Sequence, residues 1–445
     1  MGAHTIAGRE RCQFRGSAAG PRYNLAFVTG HPQRRVLLCL ATAELLAMSL
    51  WFTGTAVLPQ LAREWQAGLD VTSWLTIAVQ LGFVAGALVI AVFNLSDVFA
   101  PTRVFAVASV AAAAANALFA AVAGRHVAAA IALRFLTGAF LAGVYPTGMK
   151  LVAGWFRQGR GLALGVLIGA LTVGSALPHG VRALGELDWR AVVLASSAFA
   201  LLAAALVAFG VHEGPYATAS PPFHFTQIGE ALRNPRLRLA NLGYLGHMWE
   251  LYSMWGWIAV LLAAAGASYP RSLVELAAFS AIAIGAVGCV WAGRASDGRA
   301  GEPYEGHAHL CRRARVTIVA MAASGACCLL AGAVFRHFAL LVVVALLWGI
   351  AVIADSAQFS AIVSEVSNWH YVGTALTTQV ALGFLLTAIS QRVVAALAAS
   401  YGWRWAAASL AVGPALGILA MRRLMAISAE TSAETAPASL ELEAE

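Results

Sequence analysis

Apolar stretches of membrane-spanning length follow one another from residue 36 almost to the end of the chain, with short polar stretches between them. A helix needs about 20 consecutive apolar residues to cross the hydrocarbon core of a bilayer. Hydropathy combined with turn residues predicts twelve such spans in this chain. Span 1 to span 12 are predicted at residues 36–58, 71–94, 103–123, 127–153, 161–184, 191–210, 239–265, 273–293, 316–335, 339–363, 373–397 and 405–425. An even number of spans places both termini on one side of the membrane.

The second half of this pattern repeats the first. Residues 44–51 in span 1 and 250–257 in span 7 both follow Glu-Leu-x-x-Met-x-x-Trp, so an acid and an aromatic residue share one helix face. Ser-Asp follows spans 2 and 8, and Trp-Arg precedes spans 6 and 12. Because each half has an even number of spans, the halves have parallel topology, a repeat found in secondary transporters. We therefore predict an all-α integral membrane protein with twelve transmembrane helices in two parallel six-helix repeats around a central cavity.

The predicted spans divide the chain into consecutive regions. Residues 1–35 form a polar N-terminal extension, and residues 36–210 form the first six-helix bundle. A linker rich in glycine, proline, serine and charged residues covers 211–238. The second bundle covers 239–425, and an acidic tail covers 426–445.

Composition agrees with a polytopic membrane protein, since 60% of the residues are hydrophobic and 11% are charged. Soluble domains carry about 25% charged residues. The formal net charge of +8 does not indicate nucleic acid as a partner, because the arginines lie between the spans rather than on one surface. Their clusters fall on the side of the termini, which predicts cytoplasmic termini by the positive-inside rule. The use of arginine and alanine favours a bacterial source, and hence the bacterial inner membrane.

Small residues and prolines predict where helices pack closely or break. Gly161, Gly165 and Gly169 recur at four-residue spacing in span 5, which is typical of close contact between two membrane helices. Pro146 and Pro178 are expected to interrupt spans 4 and 5.

Ionisable side chains deep within the spans need a reason, because a charge near the centre of a membrane helix costs about 3 kcal/mol or more. They are Glu44 in span 1, Arg134 in span 4, His247 and Glu250 in span 7, and Asp355 in span 10. By helical rise, Glu250 lies about 17 Å into its predicted span and Glu44 about 12 Å into its own. His247 precedes Glu250 by one helical turn, so the imidazole and the carboxylate share a face. We hypothesise that Glu250 with His247 is a protonation switch whose neutral form lets the cavity change its access.

Four of these residues also have a second interpretation. Glu44 and Glu250 would hold helices together by pairing with Arg134 or with backbone donors. Arg134 would be either a substrate clamp or a helix-locking partner of a carboxylate. Asp355 would bind a cation or a hydroxyl group, or would be a solvated residue near the cytoplasmic side.

Several motifs resemble the major facilitator superfamily, and the resemblance covers residues 36–425. Residues 293–297, Gly-Arg-Ala-Ser-Asp, are similar to its Gly-x-x-x-Asp loop motif. Residues 134–142, Arg-x-x-x-Gly-x-x-x-Ala, are similar to its span 4 arginine motif. Residues 155–165, Trp-Phe-x-x-x-Arg-Gly-x-Ala-x-Gly, are similar to the junction of spans 4 and 5 in its organic-anion and nitrate/nitrite-related branches. Spans 2 and 8 have no interior arginine, so the substrate arginines of nitrate porters have no counterpart here.

The resemblance implies a location for the site and for a gate. Members of the superfamily line their central cavity with spans 1, 4, 7 and 10, and these are the spans that carry the deep ionisable residues. In the superfamily, the acid after spans 2 and 8 pairs with arginines and helix N-termini to latch a cytoplasmic gate. The corresponding residues here are Asp97 and Asp297, with Arg160 as an expected partner.

These features together predict secondary transport. We expect proton-coupled symport of a small organic solute, a carboxylate, with Arg134 as its anchor. The alternatives are proton-linked efflux of organic cations or drugs, and a non-transporting receptor on the same scaffold. The expected partners are the solute, the proton and the lipid bilayer, and the expected state is a monomer.

Other classes of function are not expected. The longer loops show no nucleophile and base at recognisable spacing, so we expect no enzyme activity. No cofactor or metal is expected either, since Glu305, His307, His309 and Cys311 have no second cluster that would complete a metal site.

Overall fold

The structure, a computed structural model, describes residues 31–157, 159–185, 187–217, 223–297 and 307–435. Most of the predicted extension 1–35 and part of the predicted tail 426–445 lie outside these residues. Glu305 and the side chains of Asp297 and His307 also lie outside them, so the expectations for these positions stay predictions.

Within the described residues, 12 helices are long and apolar enough to cross a membrane, which confirms the predicted fold class. They are span 1 (Pro32–Trp65), span 2 (Trp74–Val92), span 3 (Pro101–Val122), span 4 (Val127–Trp155), span 5 (Arg160–Ala183), span 6 (Trp189–Gly210), span 7 (Pro235–Ala265), span 8 (Arg271–Ser296), span 9 (Ala308–Ala333), span 10 (Phe338–Val366), span 11 (Val372–Tyr401) and span 12 (Trp403–Ala429). Span 1 begins and span 12 ends at one face of the molecule, which we call the terminal face. The other face is called the opposite face.

Spans 1, 4, 8, 10 and 12 each consist of two consecutive helices. These are His31–Met48 and Thr53–Trp65, Val127–Leu141 and Tyr145–Trp155, Arg271–Ala283 and Gly285–Asp297, Phe338–Ala354 and Ser356–Val366, and Trp403–Ser409 and Val412–Thr435. Each remaining span is one continuous helix, and in span 9 that helix is His307–Ala333. Short helices lie in the connections at Leu69–Thr72, Leu95–Val98, Phe225–Gln227, Glu230–Arg233 and Trp369–Tyr371.

The two prolines that were expected to break helices differ in their outcome. Pro146 lies in the first turn of helix Tyr145–Trp155, where N–H groups have no partner within the helix, so the predicted break in span 4 is confirmed. The prediction for Pro178 is wrong, because it lies inside the continuous helix Arg160–Ala183. The loss of one backbone hydrogen bond is tolerated in a membrane helix whose ends are held by its neighbours.

The same helix packing occurs in both halves of the chain. In the first half, span 1 packs against spans 5 and 6, span 2 against span 4, and span 3 against span 6. In the second half, span 7 packs against spans 11 and 12, span 8 against span 10, and span 9 against span 12. The two halves meet chiefly where span 5 packs against span 8 and span 2 packs against span 11.

Glycines permit the closest of these contacts. At Gly165, an added Cβ atom would lie 2.8 Å from the backbone oxygen of Cys289, and at Gly169 it would meet Ala286. The predicted close contact of span 5 is therefore confirmed, and its partner is span 8 of the other half. A side chain at Gly165 would force the two halves apart at their main interface.

Candidate functional site

Aromatic side chains from spans 1, 2, 7 and 11 meet between the two halves. We call this group the aromatic layer; its members are Trp51, Phe52, Phe83, Tyr252, Trp255 and Phe384, all buried. The ring centroids of Trp51 and Phe83 are 5.0 Å apart, and those of Phe83 and Phe384 are 4.9 Å apart. The rings of Tyr252 and Phe384 lie 4.8 Å apart. These are ordinary distances for edge-on and offset aromatic pairs, so the layer is a packed contact across the halves.

Arg134 supports this layer from within the first half. The helix of span 1 stops at Met48 and resumes at Thr53, and the turn between them leaves backbone carbonyls without helical partners. The guanidinium Nη2 of Arg134 donates to the carbonyl oxygens of Leu50, at 2.9 Å, and Trp51, at 2.5 Å. Its Nη1 donates to Asn116 Oδ1 at 2.9 Å. In the structure, Arg134 thus joins span 4 to spans 1 and 3 and fixes the position of Trp51.

Glu250 lies inside the second half. Its Oε2 accepts a hydrogen bond from Ser324 Oγ at 2.8 Å, and its Oε1 accepts from Cys328 Sγ at 3.1 Å and from Trp348 Nε1 at 2.6 Å. The donors belong to spans 9 and 10 of the same bundle. The carboxylate of Glu250 is therefore fully buried and held by three donors within one half of the protein.

His247 contacts a different acid from the one that its spacing suggested. Its Nδ1 lies 2.8 Å from Asp355 Oδ1, and both side chains are buried. Asp355 is the residue at which span 10 changes from helix Phe338–Ala354 to helix Ser356–Val366. The ring of His247 also packs on Phe359, with centroids 5.4 Å apart. His247 and Glu250 occupy neighbouring positions on span 7 yet point to different partners.

Glu44 has surroundings unlike those of Glu250. It is fully buried, and among the described residues neither of its carboxylate oxygens has a hydrogen-bond partner. Its Oε2 lies against span 4, since an added Cβ atom at Gly148 would be 2.7 Å away. Tyr145, at the start of the second helix of span 4, lies close enough to Glu44 for an electrostatic interaction.

We call Glu44, Tyr145, Tyr244, His247 and Asp355 the polar layer. Counted by helical rise from the terminal face, these residues lie about 14 to 18 Å deep, whereas Trp51 lies about 28 Å deep. Trp51 in span 1 and Tyr252 in span 7 therefore lie beyond the polar layer on the side of the opposite face. Tyr145 also lies within electrostatic range of Cys289 in span 8, and Tyr244 within range of Tyr145. The polar layer thus brings residues of both halves together.

Tyr145 and Tyr244 were not predicted from the sequence, because aromatic residues within a span are usually part of ordinary helix packing. Tyr145 follows the break in span 4 directly, and this position next to Pro146 was the available signal.

A second group of contacts joins the halves at the opposite face. We call Gln60, His179, Arg182 and Glu275 the opposite-face latch. His179 Nδ1 lies 2.8 Å from Glu275 Oε2, and Arg182 Nε donates to Glu275 Oε1 at 2.9 Å. Arg182 Nη1 also donates to Gln60 Oε1 at 3.1 Å. Glu275 belongs to span 8 and the other three residues to the first half, so the latch bridges the two bundles.

Asp97, which was predicted to belong to a gate at the terminal face, pairs with a residue that was not predicted from the sequence. Asp97 Oδ1 lies 2.5 Å from the Nζ of Lys150 in span 4, and Lys150 also donates to the backbone oxygen of Ser96 at 2.9 Å. Lys150 is the one lysine of the chain, which was a usable signal. Arg160 is the first residue of span 5. The roles of Asp97, Arg160 and Asp297 in a gate stay predictions.

The geometry defines a polytopic α-helical membrane protein in which two similar bundles meet at a buried polar layer. The model of the Major Facilitator Superfamily matches residues 40–304, which is more than half of the chain, and the chain therefore belongs to this superfamily of transporters.

A search of solved structures agrees with this assignment. The chain is similar to the structure of the MFS proton:xylose symporter XylE bound to 6-bromo-6-deoxy-D-glucose, with a TM-score of 0.67. The alignment covers 88% of this chain and 95% of that chain at 13% identity, a likeness that shows the fold alone. A search of curated protein sequences finds no match.

Proposed function

We propose that this protein is a secondary active transporter that moves a small organic solute by proton-coupled symport with alternating access at the polar layer. The observation that carries the proposal is Glu44, a buried acid of the polar layer that has no hydrogen-bond partner among the described residues. An ionised carboxylate is costly there unless a cation or donors reach it, so its protonation state responds to what binds nearby.

The His247–Asp355 pair is the second protonatable group in the proposal. It belongs to spans 7 and 10, while Glu44 belongs to span 1, so each half contributes one such element. Relative to the hypothesis from sequence, His247 is kept and Asp355 takes the place of Glu250. Glu250 has three donors inside its own bundle, which supports a structural role for it.

The described contacts support access from the terminal face in this conformation. Trp51 and the opposite-face latch both lie on the opposite-face side of the polar layer, and both contact the second bundle, Trp51 through Phe384 and the latch through Glu275. Movement of the bundles that breaks these contacts would expose the polar layer to the other side.

The charge of the polar layer bears on the solute. The acids of this layer are Glu44 and Asp355, of which Asp355 is paired with His247, and the guanidinium of Arg134 is bound to carbonyl oxygens of span 1 and to Asn116. A carboxylate would then travel together with its proton, which fits symport. The fold shared with a protein described as a proton:xylose symporter also supports proton coupling.

Efflux of organic cations is the second candidate function, because the acidic side chains of the polar layer adjoin the aromatic layer. Acids and aromatic faces both attract cations. The two candidates differ in the chemistry of the solute. They also differ in whether the proton moves in the same direction as the solute or in the opposite direction.

We further propose that the terminal face is cytoplasmic in a bacterial inner membrane, since the arginine clusters of the sequence fall on that side. Residues 36–210 and 239–425 are proposed as the two bundles, with 211–238 as their linker and the monomer as the working unit.

Transport in proteoliposomes under an imposed pH gradient tests the proposal. We expect wild type to accumulate a solute from a panel of carboxylates, sugars and amines, and Glu44→Gln and Asp355→Asn to bind it without gradient-driven accumulation. Glu213→Gln, which changes an exposed acid in the linker, is the matched control and should behave as wild type.

Full gradient-driven accumulation by Glu44→Gln would refute the coupling role. Amine uptake that is driven by proton movement in the opposite direction would favour the efflux function. Binding by wild type without transport under any gradient would identify a receptor.

A further inference from the structure

Two buried carboxamides near the polar layer have no hydrogen-bond partner in the part of the chain that the structure describes. Asn241 in span 7 is 6% exposed and Gln379 in span 11 is fully buried. Among the described residues, neither the oxygen nor the nitrogen of either side chain has a partner. Buried amides are normally paired, so each unpaired one requires a reason.

Helical register places these two side chains at one level between neighbouring spans. Spans 7 and 11 pack together, and both run from the terminal face to the opposite face. They touch at Gly383, where an added Cβ atom would meet Tyr244 and Met248. Asn241 precedes Tyr244 by about one turn, and Gln379 precedes Gly383 by about one turn. Both carboxamides therefore lie one turn nearer the terminal face than this contact.

Half-buried residues lie next to Gln379 in span 11 and at the start of the second helix of span 4. Leu376 and Val380, on either side of Gln379 in span 11, are half-buried, as are Tyr145 and Met149 of span 4. The polar layer lies directly beyond, since Tyr244 belongs to it. A solute that reaches the polar layer from the terminal face would pass these two carboxamides.

We propose that Asn241 and Gln379 form a solute-binding subsite that takes a neutral group with both a donor and an acceptor. Such a group is a hydroxyl, an amide or a protonated carboxyl. This inference rests on the proposed transport function and names the chemistry that the site selects.

The selection follows from the atoms that the subsite presents. Each carboxamide offers two N–H donors and one carbonyl acceptor. A carboxylate anion accepts only and leaves the amide oxygens unpaired, whereas an ammonium group donates only and leaves the N–H groups unpaired. A site that both donates and accepts hydrogen bonds binds an anion or an ammonium group weakly. In each case a buried amide N–H or carbonyl group stays without a hydrogen bond.

The subsite also agrees with the acidic charge of the polar layer. A carboxyl group that arrives protonated pairs with a carboxamide through two hydrogen bonds and adds no negative charge next to Glu44 and Asp355. A solute that carries only hydroxyl groups meets the same requirement without a proton of its own.

The test replaces each carboxamide by an apolar side chain of similar shape, in Asn241→Leu and Gln379→Met. The probes share one skeleton: cyclohexylmethanol, cyclohexanecarboxamide, cyclohexanecarboxylic acid at pH 5 and pH 8, and cyclohexylmethylamine. Binding to the full chain in nanodiscs is measured by calorimetry, and stability without solute by thermal unfolding.

We expect wild type to bind the alcohol, the amide or the acid at pH 5, and each variant to bind the same probe at least tenfold more weakly. Without solute, both variants should melt at the same or a higher temperature, because an unpaired buried amide has been removed.

Three results would overturn the inference: equal binding by wild type and variants, binding of the amine alone, or no binding of any probe. A fall in melting temperature of both variants would also overturn it, since it would show that the carboxamides are structural partners. If wild type binds a probe through this subsite but shows no proton-driven accumulation, the proposed function fails and the subsite stands.

Discussion

The two copies of the Glu-Leu-x-x-Met-x-x-Trp pattern occupy equivalent spans and have become physically different. In span 1 the helix breaks after Met48, and Glu44 has no hydrogen-bond partner among the described residues. In span 7 the helix runs unbroken through the pattern, and Glu250 accepts three hydrogen bonds. The same residues thus give an acid without a hydrogen-bond partner among the described residues in one half and an acid held by three donors in the other.

The difference extends to the residue that supports each copy. Gly138 of span 4 lies against the backbone of Val79, and Gly349 of span 10 lies against that of Ala281, so these glycines are equivalent in the repeat. The residue one turn before Gly138 is Arg134, and the residue one turn before Gly349 is Ala345. The half with a broken span has an arginine that binds the free carbonyls, and the half with an unbroken span has none at this position.

Removal of Arg134 is expected to give the largest loss of stability. Arg134→Leu leaves the carbonyls of Leu50 and Trp51 and the side chain of Asn116 without their donor, at a cost of about 4 kcal/mol. The loss of stability is measured by thermal unfolding in detergent micelles. Arg125→Leu, at an exposed arginine of the opposite face, is the control and should melt like wild type. If both variants melt at the same temperature, the hydrogen bonds from Arg134 to the carbonyls at the break in span 1 do not stabilise the protein measurably.

Removal of Glu250 is expected to have the next largest effect. Glu250→Leu leaves Cys328 and Trp348 without the acceptor that they share and leaves Ser324 only its bond to the carbonyl oxygen of Met321, so we expect a loss of about 3 kcal/mol in unfolding experiments.

A pair of tryptophan substitutions controls for packing in this region. Trp348→Phe removes one donor to Glu250 and should cost about 2 kcal/mol. Trp257→Phe removes an indole whose Nε1 has no partner among the described residues, so it loses packing only and should cost less. If both cost the same, the hydrogen bond to Glu250 contributes nothing measurable.

The opposite-face latch allows a smaller, conformational test. Glu275→Gln removes the charge that faces His179 and Arg182, and a partly exposed ion pair is worth about 1 kcal/mol or less. We expect the population open at the opposite face to rise by about fivefold. Spin labels at Leu184 and Arg271, two exposed positions on that face, report the change as a longer distance. An unchanged distance distribution would show that the opposite-face latch does not keep this face closed.

Glu44 should show the smallest effect on stability, with a sign opposite to that of Glu250. Glu44→Leu removes a buried acid that has no hydrogen-bond partner among the described residues, so the free energy of unfolding should be unchanged or higher by about 1 kcal/mol. Gradient-driven transport should nevertheless be lost. If this variant is destabilised as strongly as Glu250→Leu, then Glu44 has a structural partner and the contrast between the copies fails.

Helix number, order and duplication were predictable because they depend on local sequence. Each span must satisfy its own backbone hydrogen bonds in lipid, so a long apolar stretch determines a helix by itself. The break at Pro146 was predictable for the same local reason, and the close contact at Gly165 followed from four-residue spacing. Span ends were less predictable, because backbone hydrogen bonding continues through polar residues at both faces.

The site was predictable only as a set of residues. Glu44, His247 and Asp355 were all named from their depth in the spans, and the structure places them in the polar layer. The expected grouping of His247 with Glu250 was not observed, because positions one turn apart on span 7 face different neighbours. Asn241 and Gln379 were not predicted as site residues, because a single uncharged amide within a span hardly changes the hydropathy profile.

By itself the sequence determined a twelve-span membrane protein with a repeated half, along with the short inventory of deep ionisable groups. Tertiary structure alone decided which acid is hydrogen-bonded, which acid has no such partner among the described residues, and where the halves touch. The reason is physical: hydropathy and helix formation act along one segment. The partner of a buried side chain is another side chain, often many residues away, as Trp348 is from Glu250 and Glu275 is from His179.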